Sequence, residues 1–310
     1  MTEGKEVFVI DDLSTGSLAN ISHLRDNPSF HFTKGSILDM AVLEPLVEQV
    51  EFVYHLAAAV GVELVVRSPV FTIEDNVRGT ENVLAAVARR KIGLLLTSTS
   101  EVYGKSERDR FHEDDDLVIG PPVIGRWSYA CSKLLDEFLA LAYWRERNLP
   151  VFVVRLFNTV GQRQTGRYGM VVPRFIQAAL QDKPIMIHGD GKQTRCFCHV
   201  TDVVRALMAL PKQVRAVGQV YNIGSTEEAA ILDLARRVKQ MTESKSELRL
   251  VPYEEAYVKG FEDMRRRVPS TDKIYQLMGW RPTKSLDEIL RLMIGFQREA
   301  GAQVTRRQGN

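Results

Sequence analysis

The sequence is poor in cysteine, nearly balanced in charge and free of apolar runs of transmembrane length. Three cysteines in 310 residues are too few for a disulfide scaffold, so we expect a reducing, cytoplasmic location. A formal net charge of +2 gives no reason to expect nucleic acid or an acidic membrane as a partner. Since a bilayer span needs about 20 apolar residues and no signal-peptide pattern is present, we also expect no membrane insertion.

One small cluster, Cys196, Cys198 and His199, has the residue types of a metal site. Zinc sites usually take a second ligand pair from further along the chain, and no such pair follows at a suitable spacing. We therefore predict that the protein binds no metal ion.

Short apolar runs alternate with helical patterns through the first half of the chain. The predicted strands cover residues 7–10, 30–33, 52–56, 94–97 and 151–156, and the predicted helices cover 38–48, 70–89 and 128–145. The strands are almost continuously apolar, as expected when helices cover both faces of a parallel sheet. Strict alternation of strand and helix predicts an α/β fold with a doubly wound parallel sheet.

The pattern changes after Gly161, where glycine and arginine become frequent, and from Ala229 onward it is mainly helical. We therefore predict a first, sheet-containing domain and a smaller, mostly helical lobe for substrate. The predicted division is residues 1–160 plus about 200–225 for the first domain, 161–199 and 226–300 for the lobe, and 301–310 for a tail.

The predicted helix 128–145 is apolar on more than one stripe. Its apolar residues include Leu134, Leu135, Phe138, Leu139, Leu141, Ala142 and Trp144. A helix that is apolar beyond its core face buries the surplus against a partner, which predicts a homodimer. The alternative is a helix buried deeply inside a monomer.

Tyr129 and Lys133 lie four residues apart on this helix, so that both side chains face one site. A neighbouring cation favours the phenolate and so lowers the pKa of a phenol. The pair therefore suggests a general base that takes a proton from a hydroxyl group near neutral pH. By itself the spacing is also compatible with a core tyrosine and a surface lysine.

The strand 94–97 runs directly into the polar residues Thr99, Ser100 and Glu101. Ligands of open α/β sheets bind at the carboxyl ends of the strands, which is where these three side chains are expected. The alternative is a Ser/Thr-rich turn that caps the next segment.

Four segments, 97–104, 129–133, 154–158 and 221–225, resemble the extended short-chain dehydrogenase/reductase family, and within it the nucleotide-sugar epimerases, dehydratases and decarboxylases. The resemblance covers nearly the whole chain and keeps the family's order of motifs. It implies a Rossmann-like fold and a bound NAD that transiently oxidises the sugar at carbon 4. It also implies that Thr99 binds the reacting hydroxyl, that Tyr129 is the base, and that Lys133 holds the nicotinamide ribose.

The same resemblance implies further binding residues. Asp11 would bind the adenosine ribose, because a carboxylate accepts both of its hydroxyls and repels the extra phosphate of NADP. The other implied cofactor-binding residues are Ser36, Ile37, Leu56, Ala57, Ala58 and Asn76. The implied substrate-binding residues are Asn158, Arg195 and Arg267, of which the two arginines suit phosphates or a sugar acid.

The chain departs from the family pattern at its start. The family opens with a strand and a glycine-rich turn whose helix receives the cofactor pyrophosphate. This sequence begins at residues 4–9, which resemble the end of the family's first helix followed by its second strand. We therefore expect a Rossmann-like sheet without its first strand, and weak retention of NAD by the chain that starts at Met1.

Thr99, Ser100 and Glu101, together with residues 193–197, look most like the family's UDP-glucuronate decarboxylases. There, oxidation at C4 creates a β-keto acid that loses carbon dioxide, helped by a carboxylate and an arginine. Three alternatives stay open. These are a UDP-sugar 4-epimerase, which needs only Thr99, Tyr129 and Lys133; a 4,6-dehydratase, for which Ser100 is a poor acid; and a non-catalytic NAD-binding relative.

Overall fold

The computed structural model describes residues 3–166, 169–256 and 262–308. The last helix continues to Gln308, so the predicted tail is helical as far as it is described, and residues 309–310 of that tail lie outside the described residues. In the described part of the chain, no helix has the length and apolar character needed to cross a bilayer.

The elements follow the predicted alternation closely. The strands in the described chain are β1 (Val7–Asp11), β2 (Phe30–Lys34), β3 (Phe52–His55), β4 (Gly93–Thr99), β5 (Val151–Leu156), β6 (Thr159–Val160), β7 (Ile185–His188), β8 (Thr194–Cys196), β9 (Cys198–His199), β10 (Gln219–Ile223), β11 (Glu228–Ala230) and β12 (Leu248–Val251). The helices are α1 (Met40–Val47), α2 (Val62–Arg67), α3 (Pro69–Arg90), α4 (Ser128–Arg147), α5 (Val171–Leu180), α6 (Val200–Ala209), α7 (Ile231–Thr242), α8 (Tyr253–Ala256), α9 (Asp272–Met278) and α10 (Leu286–Gln308).

The main sheet is parallel and has the strand order β10-β5-β4-β3. The strands β1 and β2 form a separate parallel pair, and no strand among the described residues connects β1 with β3. The two pieces match a Rossmann-like sheet that lacks its first strand. The sheet therefore does not close over the gap, and the facing backbone groups have no ladder partner in the described chain.

Helices cover both faces of the main sheet because successive strand residues point to opposite sides. Leu94 and Leu96 of β4 pack with α1, α3 and α4 on one face. Leu95 packs on the other face, in the cluster that contains α6, Ile274 and Trp280. This two-sided burial confirms the predicted α/β, doubly wound fold class.

A further hydrophobic cluster lies outside these layers and joins α5, α7 and α10 to β7. Except for Val160, its buried members come from the segments predicted to form the smaller lobe. However, Ile274 and Trp280, which the prediction assigns to that lobe, pack against the first domain. The exact division of the chain into two domains stays a prediction.

A buried ionic cluster connects the strands beneath the site. Arg155 of β5 donates hydrogen bonds to both carboxylate oxygens of Glu137 on α4, with its Nη2 2.8 Å from Oε2. Its Nη1 also donates to the Tyr103 hydroxyl at 3.1 Å. The Ser98 hydroxyl of β4 donates to Glu137 as well. These bonds tie α4 to β4 and β5 and satisfy polar groups that would otherwise be costly to bury.

Candidate active site

A cavity of about 440 Å³ lies at the carboxyl ends of β4 and β5 and extends toward the smaller lobe. Its wall includes all five predicted catalytic residues and all three predicted substrate-binding residues. They are Thr99, Ser100, Glu101, Tyr129, Lys133, Asn158, Arg195 and Arg267. The tertiary structure therefore brings together residues from five parts of the chain, although their individual roles stay predictions.

The end of β4 fixes the first three of these side chains. The Thr99 hydroxyl accepts a hydrogen bond from the Glu101 backbone N–H at 3.2 Å, which caps the short 3-10 turn over Ser100–Tyr103. Gly104 ends this turn with a φ of 60°, a conformation that favours glycine. The turn thus presents Thr99 and Glu101 to the cavity, and it buries Ser100 to 1% exposure.

Tyr129 and Lys133 stand one turn apart near the start of α4, as the sequence predicts. The Lys133 ammonium is buried and lies 2.8 Å from Oδ2 of Asp136, three residues further along the helix. Asp136 is also buried, at 1% exposure. The lysine therefore meets a carboxylate that the sequence interpretation did not consider.

The prediction that Lys133 lowers the pKa of Tyr129 is wrong for this arrangement. Burial raises the pKa of Tyr129, and the negative charges of Glu101 and Asp136 raise it further, while a hydrogen bond with Thr99 opposes them. The main physical reason is the desolvation of the buried phenol, and the Lys133 ammonium is at the same time paired with Asp136.

Glu101 is held by two guanidinium groups. Nη1 of Arg126 lies 2.6 Å from one carboxylate oxygen and Nη1 of Arg267 lies 3.3 Å from the other. Burial alone would raise the pKa of Glu101, but the two cations outweigh burial and lower it to about 2. Glu101 is therefore a carboxylate at neutral pH and cannot donate a proton as an acid.

Arg195 enters the same cluster from β8. Its Nη2 lies 2.7 Å from Oδ2 of Asp263, and its Nη1 donates to the Met264 carbonyl at 2.8 Å. The Arg267 Nη2 donates to Oδ1 of Asn158 at 3.3 Å. Because these side chains are braced by fixed acceptors, the guanidinium planes are oriented before any ligand arrives.

Three residues near the site were missed by sequence reasoning: Arg126, Asp136 and Asp263. Arg126 and Asp136 had an available signal, since they lie three residues from Tyr129 and Lys133 and so share their helical faces. Asp263 had none, because its pairing with Arg195 spans 68 positions of the chain.

The predicted cofactor residues divide into two groups. Leu56 and Ala58 line the cavity beside Tyr129 and Lys133, whereas Ala57, Asn76, Asp11, Ser36 and Ile37 are not part of its described wall. Asp11 is exposed at the carboxyl end of β1. Its carboxylate is thus accessible to ribose hydroxyls, and the residues present fit the two riboses of NAD.

Asn76 braces the wall of the cavity from behind. Its Oδ1 accepts a hydrogen bond from the Ala59 backbone at 2.8 Å, and its Nδ2 donates to the Ser132 hydroxyl at 3.1 Å. Since Asn76 is 2% exposed, its side chain links the loop after β3 to α4. A direct contact of Asn76 with a cofactor stays a prediction.

Ser36 and Ile37 also take part in local packing. The Ser36 hydroxyl accepts a hydrogen bond from the Leu38 backbone at 3.2 Å, and the Ile37 carbonyl accepts one from Asn82 at 3.1 Å. These contacts fasten the segment after β2 to α3.

Cys196 and Cys198 behave as buried apolar residues, whereas Cys131 is exposed. Burial raises the pKa of both Cys196 and Cys198 to about 12, so both thiols stay protonated at neutral pH. Within the described ranges, no three side chains of the metal-binding types come together.

Comparison with known proteins extends these observations. Residues 1–293 match the family model described as GDP-mannose 4,6 dehydratase. The chain is 39% identical over 297 residues to a UDP-N-acetyl-alpha-D-glucosaminuronate decarboxylase of Bacillus cytotoxicus, covering 96% of this chain and 91% of that protein. It is 34% identical over 297 residues to UDP-glucuronic acid decarboxylase 1 of Danio rerio, covering 96% and 68% of the two chains.

A solved structure is similar in fold over almost the full length. It is the UDP-glucuronic acid 4-epimerase of Bacillus cereus in complex with UDP-glucuronic acid and NAD, with a TM-score of 0.84, 28% identity and coverage of 95% and 91% of the two chains. The chain therefore belongs to the GDP-mannose 4,6-dehydratase family, the NAD-dependent nucleotide-sugar enzymes of the extended short-chain dehydrogenase/reductase type.

Proposed function

We propose that the protein is a UDP-uronate decarboxylase, with UDP-glucuronate or its 2-acetamido analogue as substrate. Both curated relatives described above carry decarboxylase names, at 39% and 34% identity. The proposal thus keeps the predicted reaction and widens the sugar to include an N-acetylated uronate.

The observation that carries this proposal is the charge in the cavity wall. Three buried or nearly buried guanidinium groups, those of Arg126, Arg195 and Arg267, meet two carboxylates, those of Glu101 and Asp263. One positive charge is left in excess in a site that water screens poorly. Such a site suits a substrate that carries a carboxylate beside its diphosphate.

We assign the first chemical step to the β4 and α4 residues. When bound, NAD would supply the hydride acceptor for oxidation at C4 of the sugar and, afterwards, the hydride for reduction. Tyr129 removes the proton of the C4 hydroxyl, and Thr99 holds that hydroxyl by a hydrogen bond. Lys133 and Asp11 hold the nicotinamide and adenosine riboses, and the loop with Leu56 and Ala58 lies beside the pyrophosphate.

The step after oxidation is assigned to the charged cluster. A ketone at C4 places the C5 carboxylate β to a carbonyl, so that the C5–C6 bond breaks with loss of carbon dioxide. The electron pair of that bond passes to the C4 carbonyl as an enolate, and C5 then takes a proton from solvent. Arg195 and Arg267 orient the sugar acid, and Asn158 orients the diphosphate side. Glu101, which is anionic, repels the departing carboxylate and keeps the arginines in position.

A 4-epimerase is the second candidate, since the Bacillus cereus structure is that of an epimerase with a bound uronate. Product analysis decides between the two. We expect NMR of a reaction with UDP-glucuronate to show UDP-xylose or the 4-keto pentose. Recovery of UDP-galacturonate would identify an epimerase, loss of the C6 hydroxyl as water from UDP-glucose a dehydratase, and no change in either substrate a non-catalytic relative.

Glu101→Gln should separate the two halves of the reaction. We expect some C4 oxidation, seen as reduced nicotinamide absorbance, while release of carbon dioxide falls by roughly a hundredfold or more. The reason is that the neutral amide leaves Arg126 and Arg267 without their anionic partner.

The matched control is Glu107→Gln, which removes an exposed carboxylate from the segment that follows the Ser100–Tyr103 turn. It should leave both rates unchanged. An equal fall in oxidation and in carbon dioxide release by the Glu101 variant would contradict the assignment.

We also propose that the protein is a cytoplasmic homodimer that pairs through α3 and α4. Large apolar side chains are exposed on both helices, with Phe138 at 61%, Leu135 at 50% and Val70 at 68% exposure. A second copy of the same surface would bury this patch. The free state of all three cysteines supports a reducing compartment.

Phe138→Asp should convert this dimer to a monomer, because a carboxylate at the centre of an apolar interface is costly to desolvate. Light scattering after size exclusion measures the mass. Val214→Asp, at an exposed apolar position away from α3 and α4, is the control and should stay dimeric. A Phe138 variant with the mass of the parent would refute this interface.

A further inference from the structure

Asp136 has no part in the chemistry assigned so far, yet it is one of the most buried charged residues of the protein. Its Oδ2 lies 2.8 Å from the Lys133 ammonium, and the two side chains are 1% and 2% exposed. A charge in such a position is unfavourable unless it is paired, so each member of this pair depends on the other.

The titratable groups next to the pair are either neutral or paired with other residues. Thr80 of α3 hydrogen-bonds to Asp136, and its hydroxyl also lies 3.0 Å from Nε2 of His55 on β3. Burial and the Lys133 charge lower the pKa of His55 to about 3, so this ring is neutral. Glu137, the next acidic residue on α4, is occupied by Arg155.

The pair acts on Tyr129, one turn earlier on the same helix. Apart from Lys133, the groups that influence the phenol are Asp136 of α4, Glu101 and Thr99 at the end of β4, and Arg267. Asp136 and Glu101 disfavour the phenolate, whereas Thr99 and Arg267 favour it. Of these two carboxylates, Glu101 is paired with its own arginines, whereas Asp136 is paired with Lys133.

We propose that Asp136 is a positioning residue that fastens the Lys133 ammonium by an ion pair, so that Tyr129 faces a compensated charge and keeps its proton in the resting protein. Any ligand that separates the Lys133 ammonium from the Asp136 carboxylate exposes the phenol to an unpaired cation. The inference rests on Tyr129 as the proposed base. It makes activation of that base conditional on a change at the Lys133–Asp136 pair.

The test is a titration of the Tyr129 phenol in a double-mutant cycle of Lys133→Gln, Asp136→Asn and the double variant. The full chain is labelled with 3-fluorotyrosine, which lowers the phenol pKa and brings the titration into the range where the protein is folded. Fluorine NMR then follows each tyrosine, and the Tyr129 signal is identified by its absence in Tyr129→Phe. Neither substrate nor turnover is needed.

We expect Asp136→Asn to lower the Tyr129 titration by about one pH unit, since a nearby negative charge is removed and the cation is released. Lys133→Gln should raise it, and in that background Asp136→Asn should lower the titration by clearly less than one unit, because no cation is left for the carboxylate to hold. The control Glu146→Gln removes an exposed carboxylate from the far end of α4 and should cause no shift.

An unchanged titration in Asp136→Asn overturns the proposal. An equal shift by Asp136→Asn in the presence and in the absence of Lys133 overturns the proposal as well, and if Asp136→Asn does not fold, Asp136→Ser takes its place with the same expected and contradicting outcomes. A failure of the proposed function looks different, because Tyr129→Phe would then retain turnover whatever the titrations show.

Discussion

Tyr129→Phe is expected to lower turnover by roughly two to four orders of magnitude, the usual contribution of a positioned acid or base. The variant loses only the phenolic oxygen, which faces the cavity beside Thr99 and Glu101. The ring remains, so the packing at the start of α4 and the affinity for the nucleotide sugar should change little. Steady-state rates give the first quantity, and calorimetric binding of UDP-glucuronate gives the second.

The matched control is Tyr143→Phe, on the same helix but in contact with Arg147 rather than with the cavity. It should keep the turnover of the parent. Near-normal activity of the Tyr129 variant would remove this residue from the role of base. A parallel loss of binding and turnover would instead indicate damage to the cavity wall.

Arg155→Met should destabilise the protein by about 3–5 kcal/mol, the usual result of removing one member of a buried ion pair. The change leaves the Glu137 carboxylate buried and without its bidentate partner, and it deprives Tyr103 of a hydrogen-bond donor. Because α4 carries Tyr129 and Lys133, loss of this anchor should also loosen the site. Urea unfolding measures the free energy.

Arg236→Met is the control, since Arg236 pairs with Asp233 on the surface of α7, where the two side chains are 62% and 55% exposed. Exposed pairs contribute about 0–1 kcal/mol, so little change is expected. Similar losses in the two arginine variants would show that the buried cluster contributes no special stability.

The positions of strands and helices in the first domain were predictable because their signals are local. The strand Val151–Leu156 has the predicted bounds, and the helices Ser128–Arg147 and Pro69–Arg90 agree with prediction within two residues at each end. Continuous apolar runs and helical spacing depend only on neighbours along the chain. Thr99 was expected in the site because ligands bind at the carboxyl ends of parallel strands, and Tyr129 was expected there because of the family resemblance.

The electrostatics of that site were not predictable in the same way. The spacing of Tyr129 and Lys133 suggested an activated phenol, but the resting lysine pairs with Asp136. Likewise, Glu101 was expected as a carboxylate near the sugar, while its fixed ionisation depends on Arg126 and on Arg267, 166 positions away. Charges respond to every neighbour in space and to burial, and neither can be read from a motif.

The sequence alone thus determined the α/β class, the order of the elements, the family and the residues that meet at the cavity, because these depend on local patterns and on motif order. The tertiary structure decided which acid each cation pairs with, where the parallel sheet is interrupted, and which apolar side chains are left exposed. Those properties arise from contacts between residues far apart in the chain. In a low-dielectric interior, a shift of a few ångströms in such contacts changes which protonation state is stable.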